Sequence, residues 1–151
     1  MNKVELIAAC KQQWTKTEAA IAKAAKGNFD AQPADGGWSA GDNFRHIIDV
    51  AHKLPDGLDE FVKLGELKSL QPGDEVGIKA FAVLNARMLP IELNTAHGIL
   101  WMALQKLTDK DLEKEVSIMG GTHKLGDVAQ MLLMGHEVGH VEQALKAAGV
   151  A

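Results

Sequence analysis

Apolar positions along this chain recur at spacings of three and four, and no long run alternates with period two, so the pattern predicts helices. From Lys3 to Lys26, residues Leu6, Ile7, Cys10, Trp14, Thr17, Ile21 and Ala24 share one helical face, and Gly27 with Asn28 suits a terminator. Asn28 to Gly37, NFDAQPADGG, is rich in turn formers and reads as a loop. A second helix is expected from Ser39, an N-cap with Asp42 three residues on to complement the exposed amides and the helix dipole. Phe44, Ile47, Ile48, Ala51 and Leu54 form its apolar face, and Pro55 with Gly57 predicts a kink or restart before LDEFVKL. Gln71 to Gly77 reads as a second loop.

The third apolar segment, Ile78 to Leu107, contains Pro90. The expectation is a short helix ending near Arg87 and a longer one from Pro90, since proline fits a first turn. Thr108 to Lys124 is a connector with a short extended piece around Val116 to Met119. A last helix follows from Leu125 to Ala148, with Gly149 beyond it and an inward stripe of Val128, Leu132, Leu133, His136, His140, Ala144 and Ala147. Four amphipathic helices make an all-α four-helix bundle the economical architecture, built as one domain over residues 1–151.

Composition narrows the function classes. A hydrophobic fraction of 46% with 24% charged residues excludes global disorder. The formal charge is -4 and no Lys/Arg-dense run occurs, so no nucleic-acid partner is expected. No stretch is long and apolar enough for a bilayer, and MNKVELIAACKQQW has charges where a signal peptide needs its apolar region. The lone Cys10 cannot form an internal disulfide. A cytoplasmic location is expected on these grounds.

The candidate chemistry sits in LLMGHEVGH, Leu132 to His140. His136 and His140 are offset by about 40° on a helix, so both imidazoles leave one face and can meet one ion. Two imidazoles left unpaired in an apolar stripe would each carry a desolvation cost, which favours metal binding over accident. The motif fits the H-E-x-x-H pattern of zinc proteases, but that chemistry needs a third ligand downstream. Only VEQALKAAGVA follows His140, and Glu142 is too close along the same helix, so the protease reading is rejected. Glu137 should point about 100° away from the pair, onto the bundle flank.

A third ligand must then come from upstream, where the candidates are His46, His52, His97 and His123. His46 follows the Ser39 cap and adjoins Ile47 and Ile48, which turns it inward. His52 lies about 240° further round the same helix, so both cannot face one point. Surface or structural histidines are the expectation for His52, His97 and His123. Gly135 and Gly139 each cost about 1 kcal/mol against alanine in a helix interior. Close packing of a neighbouring helix is the first explanation, and room for a ligand the second.

GWSAGDNFRHIIDVAH, Gly37 to His52, resembles the start of the second helix in DinB/YfiT-like proteins. LGDVAQMLLMGHEVGHVEQAL, Leu125 to Leu145, is similar to that family's closing helix, with its H-x-x-x-H pair and a glutamine three residues later. The resemblance spans the length and helical layout of the chain. It implies a four-helix bundle, often a homodimer, in which His46, His136 and His140 bind a divalent metal. It also implies thiol-dependent transferase or isomerase chemistry, using low-molecular-weight thiols, in members of known activity. Asp49 and Gln143 each lie three residues beyond a ligand of this set, in position to orient its second ring nitrogen, with a solvated helix carboxylate the equal alternative for Asp49.

Three neutral nitrogens leave a coordination position open, as in catalytic sites, and the ion can acidify water or a thiol towards pH 7. Zinc is the default cofactor, and imidazole also suits nickel and iron. The expected function is therefore a metal-dependent hydrolase or thiol S-transferase acting on a small molecule. The alternative is a non-catalytic, metal-stabilised module for ligand binding or dimerisation.

Overall fold

α1 (Lys3–Ala24) starts on a reciprocal cap: Asn2 Oδ1 accepts from the Glu5 amide and Glu5 Oε2 accepts from the Asn2 amide, both at 2.9 Å. Every residue of the predicted stripe, from Leu6 to Ala24, is buried. In this computed structural model, which describes residues 1–69 and 75–150, the loop expected at residues 71–77 falls largely outside the described residues. Its last three positions begin α3 (Glu75–Ala80).

α2 (Ala40–Leu64) begins at Ser39, whose Oγ accepts from the Asp42 amide at 3.1 Å, and stops at Gly65 with φ 72°. Of the kink or restart expected at Pro55, the restart does not occur: one helix of 25 residues runs through it. Proline removes a ladder bond and costs about 3 kcal/mol. Burial of Leu54, Leu58 and Phe61 around it offsets that, at about 1.5–3 kcal/mol each.

The short helix expected up to Arg87 stops at Ala80. Asn85 Oδ1 accepts from the amides of Arg87 and Met88 at 3.0 and 3.1 Å, offering the backbone a turn in place of a helix. α4 (Leu89–Lys106) then carries Pro90 in its first turn, as its sequence predicts. α5 (Asp109–Leu112) is one capped turn. The expected extended piece proves to be half of a hairpin, β1 (Glu115–Ile118) against β2 (Gly121–Lys124), antiparallel with Ile118 opposite Gly121. The Ser117 amide donates to Gly65 O at 2.7 Å and ties the hairpin to the end of α2.

The closing rod is α6 (Leu125–Gln130), a π-helical turn over Met131–Gly135, and α7 (His136–Ala148), ended by Gly149 at φ 71°. Among the described residues, four long helical stretches pack in a ring in which α4 and α7 each touch both α1 and α2. The fold is all-α apart from the hairpin. One apolar cluster joins Leu6, Cys10 and Trp14 to Leu54, Leu100 and Leu133; another joins Ile21 and Phe44 to Leu93, Ala144 and Ala148. Ala148, not Ala147, is the buried end of the last stripe. Among the described residues, no helix is long and apolar enough to cross a membrane.

Candidate metal centre

Between the two apolar clusters the helices bring polar side chains inward: Gln13 and Thr17 from α1, His46 from α2, His97 from α4 and Glu137 from α7 are all buried. His46 meets the pair from α7 here. His46 Nε2 and His136 Nε2 stand 2.9 Å apart, and one donor nitrogen from each of His46, His136 and His140 lies within 4.8 Å of the others. The ring centroids are 4.6 to 4.9 Å apart, with the planes steeply inclined. Nitrogens bonded to one tetrahedral zinc at about 2.0–2.1 Å stand roughly 3.3 Å apart, so the donor set needs only small ring movements to hold an ion.

Asn43 settles which nitrogen His140 offers. Its Nδ2 donates to Ser39 O at 3.0 Å, which leaves Oδ1, an acceptor only, facing His140 Nδ1 at 2.8 Å. His140 Nδ1 therefore carries the proton, and Nε2 keeps its lone pair for the centre. Gln143, three residues on, lies close enough to His140 to raise its affinity for a proton. Asp49, expected to orient a histidine, has its carboxylate 2.9 Å from Lys53 Nζ, and it sits so close to Gly77 that no side chain would fit there. Trp38 covers the site: its ring stacks on His140 at 5.7 Å and lies tilted 4.9 Å from His46.

Burial lowers His136 from its ordinary value of 6.5 to about 3, helped by the neighbouring His140 and His46. His140 falls to about 4 for the same first reason, with His46 adding and the nearby Gln143 opposing. Both rings are thus neutral at pH 7, as ligands must be.

The other histidines separate from this group. His52 pairs with Glu92 Oε1 at 2.8 Å and stacks on Phe81; His123 lies on β2, not in a loop. His97 is structural but fully enclosed: its Nε2 meets Glu137 Oε1 at 2.6 Å, and its ring stacks on Trp14 at 4.7 Å. Glu137 also accepts from Thr17 Oγ1 at 2.6 Å. It points away from the histidine pair as helix geometry requires, but into the core, correcting the expected flank position. Cys10 is pushed up to about 12 by burial and by the nearby Glu137, which keeps the thiol protonated and inert.

The packing explanation for Gly135 and Gly139 is also corrected. Among the described residues, a Cβ built at either position would meet nothing within 4 Å. Neither glycine makes room for a neighbouring helix.

Asn43 is a site residue that sequence reasoning missed. A polar Asn43 on the buried side of α2, one residue from Phe44, was the available signal, because a buried amide demands partners. Trp38 stands in the Gly37 to His52 motif, but its residue type and spacing alone assign it no role beyond core packing.

A family model described as the DinB superfamily matches residues 9–144. No curated protein and no solved structure matches the chain.

Proposed function

The chain belongs to the DinB superfamily, and from that premise we propose that it is a metal-dependent enzyme in which His46, His136 and His140 hold one divalent ion. The observation that carries this reading is the convergence of the three donor nitrogens within 4.8 Å, two of them on rings that burial keeps neutral. Zinc is the default, with nickel and iron compatible with the same imidazole set. Such an ion supplies Lewis-acid activation of water or of a low-molecular-weight thiol near neutral pH, which makes the reaction a hydrolysis or a thiol S-transfer.

The protein's own residues have definable tasks. Asn43 holds His140 in the tautomer and orientation that present Nε2. Gln143 supports the same ring. Trp38 shields His46 and His140 from solvent on one side. Glu137 is committed to His97 and Thr17, so it is not the water-activating glutamate of a zinc protease. Cys10 is buried and protonated, so a reacting thiol must arrive as a cosubstrate. A reducing compartment such as the cytoplasm suits that chemistry. A homodimer is part of the proposal: Met88, Ile91, Ile99 and Met102 leave an exposed apolar stripe along α4, the kind of surface that a second copy covers.

Elemental analysis of untagged protein tests the centre. About one divalent ion per chain is expected, and His136→Ala should lose it. Full occupancy in that variant would overturn the ligand set. Millimolar thiols should then change the visible spectrum of a cobalt-substituted sample. An unchanged spectrum removes the transferase and leaves hydrolysis.

A further inference from the structure

One ring of the centre also belongs to a cleft: His136 lines a space of about 770 Å³ together with Leu67, the hairpin tip at Ile118 and Met119, and the rod at Met131 and Leu132. That volume lies within the range of small-molecule sites.

Three locally unfavourable backbone features border this cleft. Met119 sits at φ 53°, in the left-handed region, where the following Gly120 at φ 76° is at home and a methionine is not. The pair forms a hairpin turn with both central residues at positive φ, a position that favours asparagine first. Gly135 lies inside the closing rod, and among the described residues a Cβ there would meet nothing within 4 Å. The rod itself is π-helical over Met131–Gly135, and a π turn rotates all that follows by about 100° relative to an unbroken α-helix. That rotation sets the register of His136. Each feature is a cost to folding, and all three line the approach to one histidine. Strain of this kind collects where function holds it in place.

We propose that this cleft is the site for the body of the substrate, and that the substrate is an elongated, predominantly apolar small molecule with no anionic group along its length and a single polar end that reaches His136. The chemistry of the lining decides the class. Met119, Met131, Leu67, Ile118 and Leu132 offer thioether and aliphatic surface, which adapts to apolar shapes. The lining holds no lysine or arginine among the described residues, and Glu66 at the rim is paired with Lys68 at 3.1 Å, so a phosphate or carboxylate on the body would find no partner. Gly135 keeps the floor open, because a side chain there would project into the space the ligand occupies. The inference rests on the three-histidine reading for the polar end and on the cleft alone for the apolar body, so the two are tested separately.

The cleft is tested on the metal-free full chain with ¹³C-methyl methionine labelling. 1-Octanol should shift the Met119 and Met131 methyl signals, and ethanol should not. The polar end is tested on the zinc-loaded protein with octanohydroxamate against acetohydroxamate, two probes that differ only in chain length. Octanohydroxamate should bind about tenfold tighter or more, since its added methylenes leave water. Met119→Asn should raise the melting temperature, because Asn-Gly suits this turn, and lower the octanohydroxamate affinity. Gly135→Leu should lower that affinity while the circular dichroism spectrum keeps its helical form. Methionine signals that ignore octanol overturn the cleft. So does a chain-length preference that survives both substitutions. A light-scattering mass that changes in Gly135→Leu, with the hydroxamate preference intact, assigns the surface to a second copy and also overturns it. Octanol shifts without hydroxamate binding leave the cleft standing and count against the three-histidine reading instead.

Discussion

The Ser39–Asn43–His140 chain of hydrogen bonds couples the start of α2 to the open side of α7. An N-cap residue already fixed by its own helix thereby fixes an amide, and the amide fixes an imidazole. Partners that orient metal-binding histidines are worth about 10–100-fold in metal affinity. Asn43→Ala should therefore weaken zinc binding on the order of tenfold in chelator competition, with the fold intact. The depressed histidines also make a pH prediction. Between the ordinary 6.5 and the folded values of about 3 and 4, the unfolded chain binds protons that the folded chain refuses. The metal-free protein should keep full stability above pH 6.5 and lose it progressively as the pH falls towards 4. Thermal melts across that window check it, and His140→Gln should flatten the slope. A stability that rose on acidification would contradict the burial of these rings.

At the scale of the elements, the helical faces follow from spacing, and the exceptions follow from particular side chains. The α1 stripe and the Ser39 cap stand where the pattern puts them, because each depends only on neighbours within a turn or two. Pro55 breaks that locality: the apolar residues flanking it find partners across the bundle, and their burial outweighs a lost bond. The π turn at Met131–Gly135 is likewise invisible to a period of 3.6. The α7 face beside the histidine pair carries its own polar load. Glu137, His97 and Thr17 form a buried network beneath Trp14, and removing Glu137 strands a buried imidazole. Glu137→Ala should cost about 3 kcal/mol in urea unfolding, and Glu137→Gln less, since it keeps a bond to Thr17. Equal stability of wild type and the alanine variant would show that the network carries no load.

Over the whole molecule, the site exists because α2 and α7 are neighbours in the ring. His46 and His136 are 90 residues apart in sequence and 2.9 Å apart in space. The ring also leaves the outer face of α4 bare, with Ile91 70% exposed. If a second copy covers that face, Ile91→Asp should halve the mass measured by light scattering. A wild-type chain already monomeric at tens of micromolar would remove α4 as the interface.

The sequence by itself determined the all-α class, the Ser39 cap, the inward faces of three long helices, and two histidines on one side of the last one. These depend on short-range periodicity, which a linear string records. It also carried, through resemblance, the choice of His46 over His52, His97 and His123. Only the tertiary structure decided that Asn43 hydrogen-bonds His140 while Asp49 pairs with Lys53, that Glu137 faces the core, and that His136 lines an apolar cleft. Each of those depends on which faces of distant helices meet, and side-chain packing across the bundle sets that, not spacing along the chain.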